Sequence, residues 1–182
     1  MTWRRIAIYY VLGIVLGGYF LLFEWQPGGE KPIPGGRPIQ QSRFLSIPQE
    51  TIQEVRLHRG EDGAVTFRRD GQGWKVIEPP GAQVTSALLT SFVENLTMEK
   101  EVQVIEEAAG NLSPYGLDRP HATVVIKGQE GNVVATVFIG DRNPPSSAVY
   151  ARKESSPQVV LLGYSVRYYE ELIFEAAGVG KK

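Results

Sequence analysis

Apolar and polar residues follow three regimes along this chain. From Ile6 to Phe23, IAIYYVLGIVLGGYFLLF, eighteen residues pass without a charge. At helical rise the run spans about 27 Å. That is close to the roughly 30 Å hydrocarbon core of a bilayer, so the pattern predicts a transmembrane helix within residues 1–25. Trp3 and Trp25 stand at its ends, where amphipathic rings favour the membrane interface. Arg4 and Arg5 precede it, a bias that keeps the short N-terminus in the cytoplasm and sends the remainder across. The competing reading is a cleaved signal peptide. The run exceeds the usual h-region of about 7–15 residues, and no A-x-A-like site follows it, which favours an uncleaved anchor. Gly13 and Gly17 stand at G-x-x-x-G spacing. That spacing either draws a second helix close or reflects the general frequency of glycine in membrane helices.

The second regime, residues 26–43, has almost no apolar periodicity. Pro27, Pro32, Pro34 and Pro38 are set among Gly28, Gly29, Gly35 and Gly36. Proline favours extended, solvated backbone and the glycines add hinges, so a tether is expected. Such a segment cannot bury enough surface to fold alone. It either holds the next domain above the membrane or lies along a partner.

The third regime, residues 44–182, alternates. Ile52, Val55 and Leu57, then Val65 and Phe67, then Trp74, Val76 and Ile77 mark three short strands. The turn signals Gly60-Glu61-Asp62-Gly63 and Asp70-Gly71-Gln72-Gly73 separate them, which predicts an antiparallel meander. Between Gln83 and Leu96 the period becomes helical, with Val84, Leu88, Leu89, Phe92, Val93 and Leu96 on one face. Glu99–Ile105 reads as a strand running back, and 106–111 as a helical turn or loop. Further strands are expected at Thr123–Lys127, Val133–Ile139, Ala148–Arg152 and Gln158–Leu162. A helix over Ser165–Ala176 follows, with Val166, Tyr169, Leu172, Ile173 and Ala176 inward. The fold class expected is α+β with a mainly antiparallel sheet. Strands and then a helix, twice over, suggest two lobes at about 44–111 and 112–182 and an internal duplication.

Composition narrows the chemistry. Hydrophobic residues at 42% and charged residues at 21% are ordinary for a globular chain. A net charge of −1 marks no nucleic-acid partner. The absence of cysteine removes disulfides, thiolate metal sites, cysteine nucleophiles and lipoprotein acylation. His58 and His121 stand alone, without metal-ligand spacing. A metal corner of His58, Glu61 and Asp62 is weaker than a solvated strand end. No G-x-S-x-G or S-x-x-K motif occurs. Gly178 to Lys182 lacks the full spacing of a phosphate loop. Asn95-Leu96-Thr97 is a glycosylation sequon in form only, because Leu96 belongs to the apolar helix face. The expectation is a protein that is not an enzyme and carries no cofactor or metal. A hydrolase is the poor third reading, since no nucleophile–base pair can be read.

Trp74-Lys75-Val76-Ile77-Glu78-Pro79 and the Leu88–Leu96 helix are followed by Tyr115-Gly116-Leu117-Asp118-Arg119-Pro120, Val137-Phe138-Ile139-Gly140 and Val149-Tyr150-Ala151-Arg152. In order and spacing these resemble the bacterial domain of unknown function 4340 family, over about residues 44 to 163. The resemblance implies a membrane helix ahead of the domain. For some members it implies association with ABC transporters of the gliding-motility type. Ala82-Gln83 stands where the family usually has Ala-Asp, which implies a weaker helix N-cap. No catalytic residues come with the family.

The same elements supply the candidate site. Gly116 is expected at positive φ or at a close chain approach, and Pro120 fixes the start of a strand. Tyr115 and Leu117 are expected to plug the seam between the lobes, so this segment, with Asp118 and Arg119, reads as scaffold before site. The loop Asp141-Arg142-Asn143-Pro144-Pro145 is the better contact surface. Tyr150 and Arg152 lie two apart on one strand face, either as a ligand-binding pair or as an edge-strand pair. The first functional reading is a single-pass inner-membrane protein with a periplasmic domain. It would be an accessory subunit on an ABC-type transporter or another envelope complex, with the bilayer and that complex as partners. The second is a binding module for a small molecule, glycan or peptide. A concave pocket lined by Tyr150, Arg152 and the 141–145 loop would favour it.

Overall fold

Short turns bring consecutive strands side by side, and the register then decides which side chains face inward. The computed structural model describes residues 3, 12, 13, 16, 18, 19, 44–60, 63–98 and 103–180. The chain divides into two units, Met1–Pro38 and Ile39–Lys182. In the first, the described residues are helical. Most of Ile6–Phe23 and all of the tether 26–43 lie outside the described residues. Among the described residues no helix is long and apolar enough to cross a membrane.

The second unit runs β1 (Glu54–Arg59), β2 (Gly63–Asp70), β3 (Gly73–Glu78), α1 (Ser86–Met98), β4 (Gln103–Glu106), β5 (Ala122–Lys127), β6 (Val133–Arg142), β7 (Ala148–Lys153), β8 (Val159–Gly163) and α2 (Tyr164–Ala177). These strands form one sheet in the order β3-β2-β1-β5-β6-β7-β8-β4. Every neighbouring pair is antiparallel. The two expected lobes therefore share one sheet, joined where β1 pairs with β5. They also share one core, in which Val55, Leu57, Val124, Ile126, Val137 and Ile139 are contiguous. The physical reason is edge closure. Two separate meanders would each leave a row of N–H and C=O groups unpaired, and the β1–β5 pairing removes two such edges.

Alternate strand residues face α1 and α2, which pack beside each other on one side of the sheet. In α1 the expected face is buried at Leu89, Phe92, Val93 and Leu96, with Val84 and Leu88 at its margin. Phe67 meets Trp74 and Phe92 edge to face, at 5.4 and 6.4 Å. The helix begins at Ser86 rather than Gln83, and the Thr85 hydroxyl accepts the Leu88 N–H at 3.4 Å. The weak cap expected at Ala82-Gln83 does not arise, because Thr85 takes that role. Leu96 and Thr97 are buried, which agrees with reading Asn95 as a sequon in form only.

α2 departs from expectation on its inner face. Val166 and Ile173 are buried as expected, but so are Glu170 and Phe174, while Ala176 is exposed. Gly178 closes the helix at φ +68, with Val179 N–H reaching Phe174 O at 3.1 Å. The terminal glycines thus end a helix, where a phosphate loop would start one. β7 is an interior strand between β6 and β8, so Tyr150 and Arg152 are not an edge pair; β3 and β4 are the edges. Of the expected strand Glu99–Ile105, residues 103–105 lie in β4, and 99–102 lie outside the described residues.

Candidate functional site

After β4 the chain must return from an edge of the sheet to its centre, at β5. The helices occupy one face, so the connection crosses the other. Its first turn is tied locally: Asn111 Oδ1 accepts the Ser113 N–H, and Leu112 O accepts from both Tyr115 and Leu117, each at 3.1 Å. The reversal that makes this possible is Gly116, at φ +63 in the left-handed region. A Cβ there would also lie within 2.7 Å of both Asp141 carboxyl oxygens. Positive φ and close approach are both present, as the sequence implied. Ser113 Oγ donates to Asp118 Oδ2 at 2.9 Å, and that bond holds the Asp118 carboxyl below its usual range.

The crossing is then locked to the sheet. Leu117 is buried, and the Tyr115 carbonyl oxygen sits where a Cβ on Gly140 would be. The Tyr115 ring meets Tyr150 edge to face at 5.0 Å, and its hydroxyl donates to Glu106 Oε2 at 2.7 Å. The Glu106 carboxylate accepting that proton holds the Tyr115 phenol above its ordinary range. Beside this pair Arg152 lies opposite Phe138, with its guanidinium carbon 5.1 Å from the ring centroid. Arg152 Nε is sealed from solvent and has no hydrogen-bond partner.

One side of the sheet thus gathers Tyr115, Gly116, Leu117, Asp141, Tyr150 and Arg152, together with Glu106 and Phe138, which the sequence did not single out. Asp118 is tied within the crossing and Arg119 is exposed. Arg142 parts from the group. It donates to Glu171 Oε1 on α2 at 3.0 Å and lies 4.9 Å over the Tyr164 ring. Asp141 and Arg142 end β6 where the sequence suggested a loop, and the turn that follows is tied by Asn143, whose Oδ1 accepts the Ala148 N–H and whose N–H donates to Ala148 O, both at 2.9 Å. Pro144 and Pro145 remain exposed.

A second polar cluster, under α2, was not read from the sequence. Glu170 is fully buried, and Oε1 accepts from Arg59 Nε at 2.9 Å. Its Oε2 lies 3.4 Å from Arg167 Nε and 3.7 Å from His121 Nε2. Arg59 also stacks 4.3 Å over Phe174, and Arg167 donates to Glu171 at 2.8 Å. Burial raises the Glu170 pKa, against the opposing pull of Arg59. Each carboxylate oxygen faces a basic side chain, so the cluster is an ionic tie between α2 and the sheet. On the opposite face Glu54 sits between Lys127 (2.8 Å) and Arg68 (2.6 Å), which hold its carboxyl below the usual range. Among the described residues no three His, Cys, Asp or Glu side chains converge as a metal site. His58 is exposed, and Glu61 and Asp62 lie outside the described residues.

The fold and this site define an antiparallel sheet with two helices on one face and a glycine-locked crossing on the other. The profile of the domain of unknown function DUF4340 matches residues 74–172, more than half of the chain. The chain belongs to the DUF4340 family. The matched span opens on β3 and closes in α2, so it holds the crossing, Gly140 and Arg152 but not β1 or β2. No curated protein and no solved structure matches the chain.

Gly116→Val is expected to cost the folded unit about 1–2 kcal/mol, because a β-branched residue strains the left-handed region. Asp141 is exposed and can swing aside, so φ dominates this cost. Thermal melts of the variant measure it. An unchanged melting temperature with a lost partner would turn the crossing from scaffold into site.

Proposed function

We propose that the protein is a non-enzymatic, membrane-anchored accessory subunit. Its folded domain stands outside the cytoplasm and docks on an ABC-type transporter or another envelope complex. The observation that carries this reading is in the first unit. Its uncharged run Ile6–Phe23 has the length and apolarity of a membrane-crossing helix, and within it Leu12 and Leu16 are helical and 56% and 60% exposed. Anchoring confines the domain to two dimensions and raises its effective concentration near membrane partners, so a weak contact can be occupied. The polar groups of the domain support binding over reaction: Glu170 is tied to Arg59, and Tyr115 is committed to Glu106. The meanders β1–β3 and β5–β7 run outward from the β1–β5 pair, which supports the duplication.

The full-length chain is expected to stay in the membrane after carbonate washing, with a reporter fused after Lys182 active outside the cytoplasm. In mild detergent it is expected to co-purify with a multi-subunit inner-membrane assembly. Release of a shortened soluble form would make Ile6–Phe23 a cleaved signal. A lone monomer in several detergents, crosslinking to nothing in intact cells, would overturn the accessory reading in favour of a ligand-binding module.

A further inference from the structure

We infer that the face formed by Arg152, Phe138, Tyr150 and Tyr115 receives a carboxylate side chain from an acidic segment of the docking partner; this rests on the accessory-subunit reading. Arg152 is a half-buried cation on an interior strand. Among the described residues its side chain has no ion pair and no hydrogen bond, and the Phe138 ring holds it. The half-buried arginines elsewhere in the domain differ: Arg59 and Arg167 meet acids of their own chain, and Arg69 donates to the Ile52 and Gln49 carbonyls. With Nε sealed by packing, Arg152 is positioned without a carboxylate to position it, and no acid of the described residues pairs with its outer nitrogens. A guanidinium presents these donors as a planar fork that matches a carboxylate.

The neighbours define what carries that carboxylate. Tyr150 and Tyr115 stand as rigid aromatic groups beside Arg152, the residue types that anchor protein interfaces. Glu106 stands two strands away on β4, roughly 10 Å across the sheet. Asp141 borders the crossing at Gly116. Two carboxylates this close disfavour a polyanion. They suit one negative charge flanked by apolar groups, as on an acidic side chain between apolar residues.

The test uses the nitrogen-15-labelled full chain in detergent micelles. The signal followed is the Arg152 Nε–H resonance. The probes are a capped pentapeptide with one glutamate among apolar residues, its glutamine counterpart, acetate and inorganic phosphate. The glutamate peptide is expected to shift the resonance and to bind about tenfold or more tightly than the glutamine peptide, as befits a charge-assisted contact. In R152Q that preference disappears, and in R152K it shrinks, because an ammonium lacks the fork. Equal binding of the two peptides, or a preference that survives R152Q, overturns the proposal. Acetate or phosphate binding as tightly as the peptide overturns it in favour of a small-anion site. If R152Q does not fold, the peptide comparison on the wild type and R152K decides. Co-purification is scored separately. An assembly held equally by wild type and R152Q removes Arg152 from the contact and leaves the accessory reading standing. No assembly with either overturns that reading, and the carboxylate proposal falls with it.

Discussion

Replacing Glu170 by alanine is expected to destabilise the folded unit by about 3–5 kcal/mol. The carboxylate is fully buried, and the Arg59 side chain that meets it is 18% exposed. Removing the acid leaves a guanidinium desolvated and unpaired, which costs more than the pair itself is worth. Arg167 keeps Glu171, so the loss falls on Arg59. The melting temperature should drop by on the order of 10 °C. Arg59→Met combined with Glu170→Leu should recover most of that, because apolar groups of similar volume need no partner. A single variant as stable as the wild type would show that the tie contributes nothing.

The same residue sets a pH dependence. Glu170 has its pKa raised by burial, so between the ordinary carboxylate range and its folded value the native state binds more protons than the unfolded one. Stability therefore falls as pH rises through that window. Glu54, with its pKa lowered by Lys127 and Arg68, acts in the opposite sense: its contribution is present above the ordinary range and is lost as pH falls through its folded value. Glu170→Gln should remove the first slope and leave the second.

Gly140→Val is expected to cost about 3 kcal/mol, the upper end for overpacking a core. Gly140 is not in the left-handed region, so space is the constraint. Its missing Cβ leaves room for the Tyr115 carbonyl oxygen, and Leu117 Cγ would lie only 3.1 Å from an added one. A backbone carbonyl in a hydrogen-bonded turn cannot swing aside as Asp141 can. The crossing must lift, and Tyr115 then leaves both Tyr150 and Glu106. The Tyr115 pKa should fall back toward that of free phenol, which an ultraviolet pH titration reads as the difference from the same titration of Tyr115→Phe. A destabilised variant whose Tyr115 still titrates high would place the strain elsewhere.

Local chemistry was legible in the sequence. Alternation placed the cores of the strands, helical period placed the inner face of α1, and the Gly116 turn followed from its neighbours. What failed was nonlocal. Repeated strands-then-helix patterning carries no sign that β1 pairs with β5, or that β4 lies beyond β8 at the far edge. Gly140 reads as a strand end because its reason for being glycine is a carbonyl brought over by the crossing. Arg59 and Glu170 are 111 residues apart, and a lone glutamate on an amphipathic helix looks solvated until the sheet order sets an arginine against it. Phe138 and Glu106 joined the site through strand register, which topology alone reveals. Tyr150 and Arg152 were placed on one face correctly, but β7 is an interior strand because it pairs with both β6 and β8.

The central claim is that anchor and domain both engage one membrane assembly. Photo-crosslinking in intact cells tests it most directly, with a photoreactive residue at Leu16 in one strain and at Glu154, exposed just beyond β7, in another. The account predicts adducts from both positions with subunits of the same inner-membrane complex, and the Glu154 adduct should weaken when the anchor is deleted. Adducts from neither position, with the chain recovered as a monomer, would contradict it.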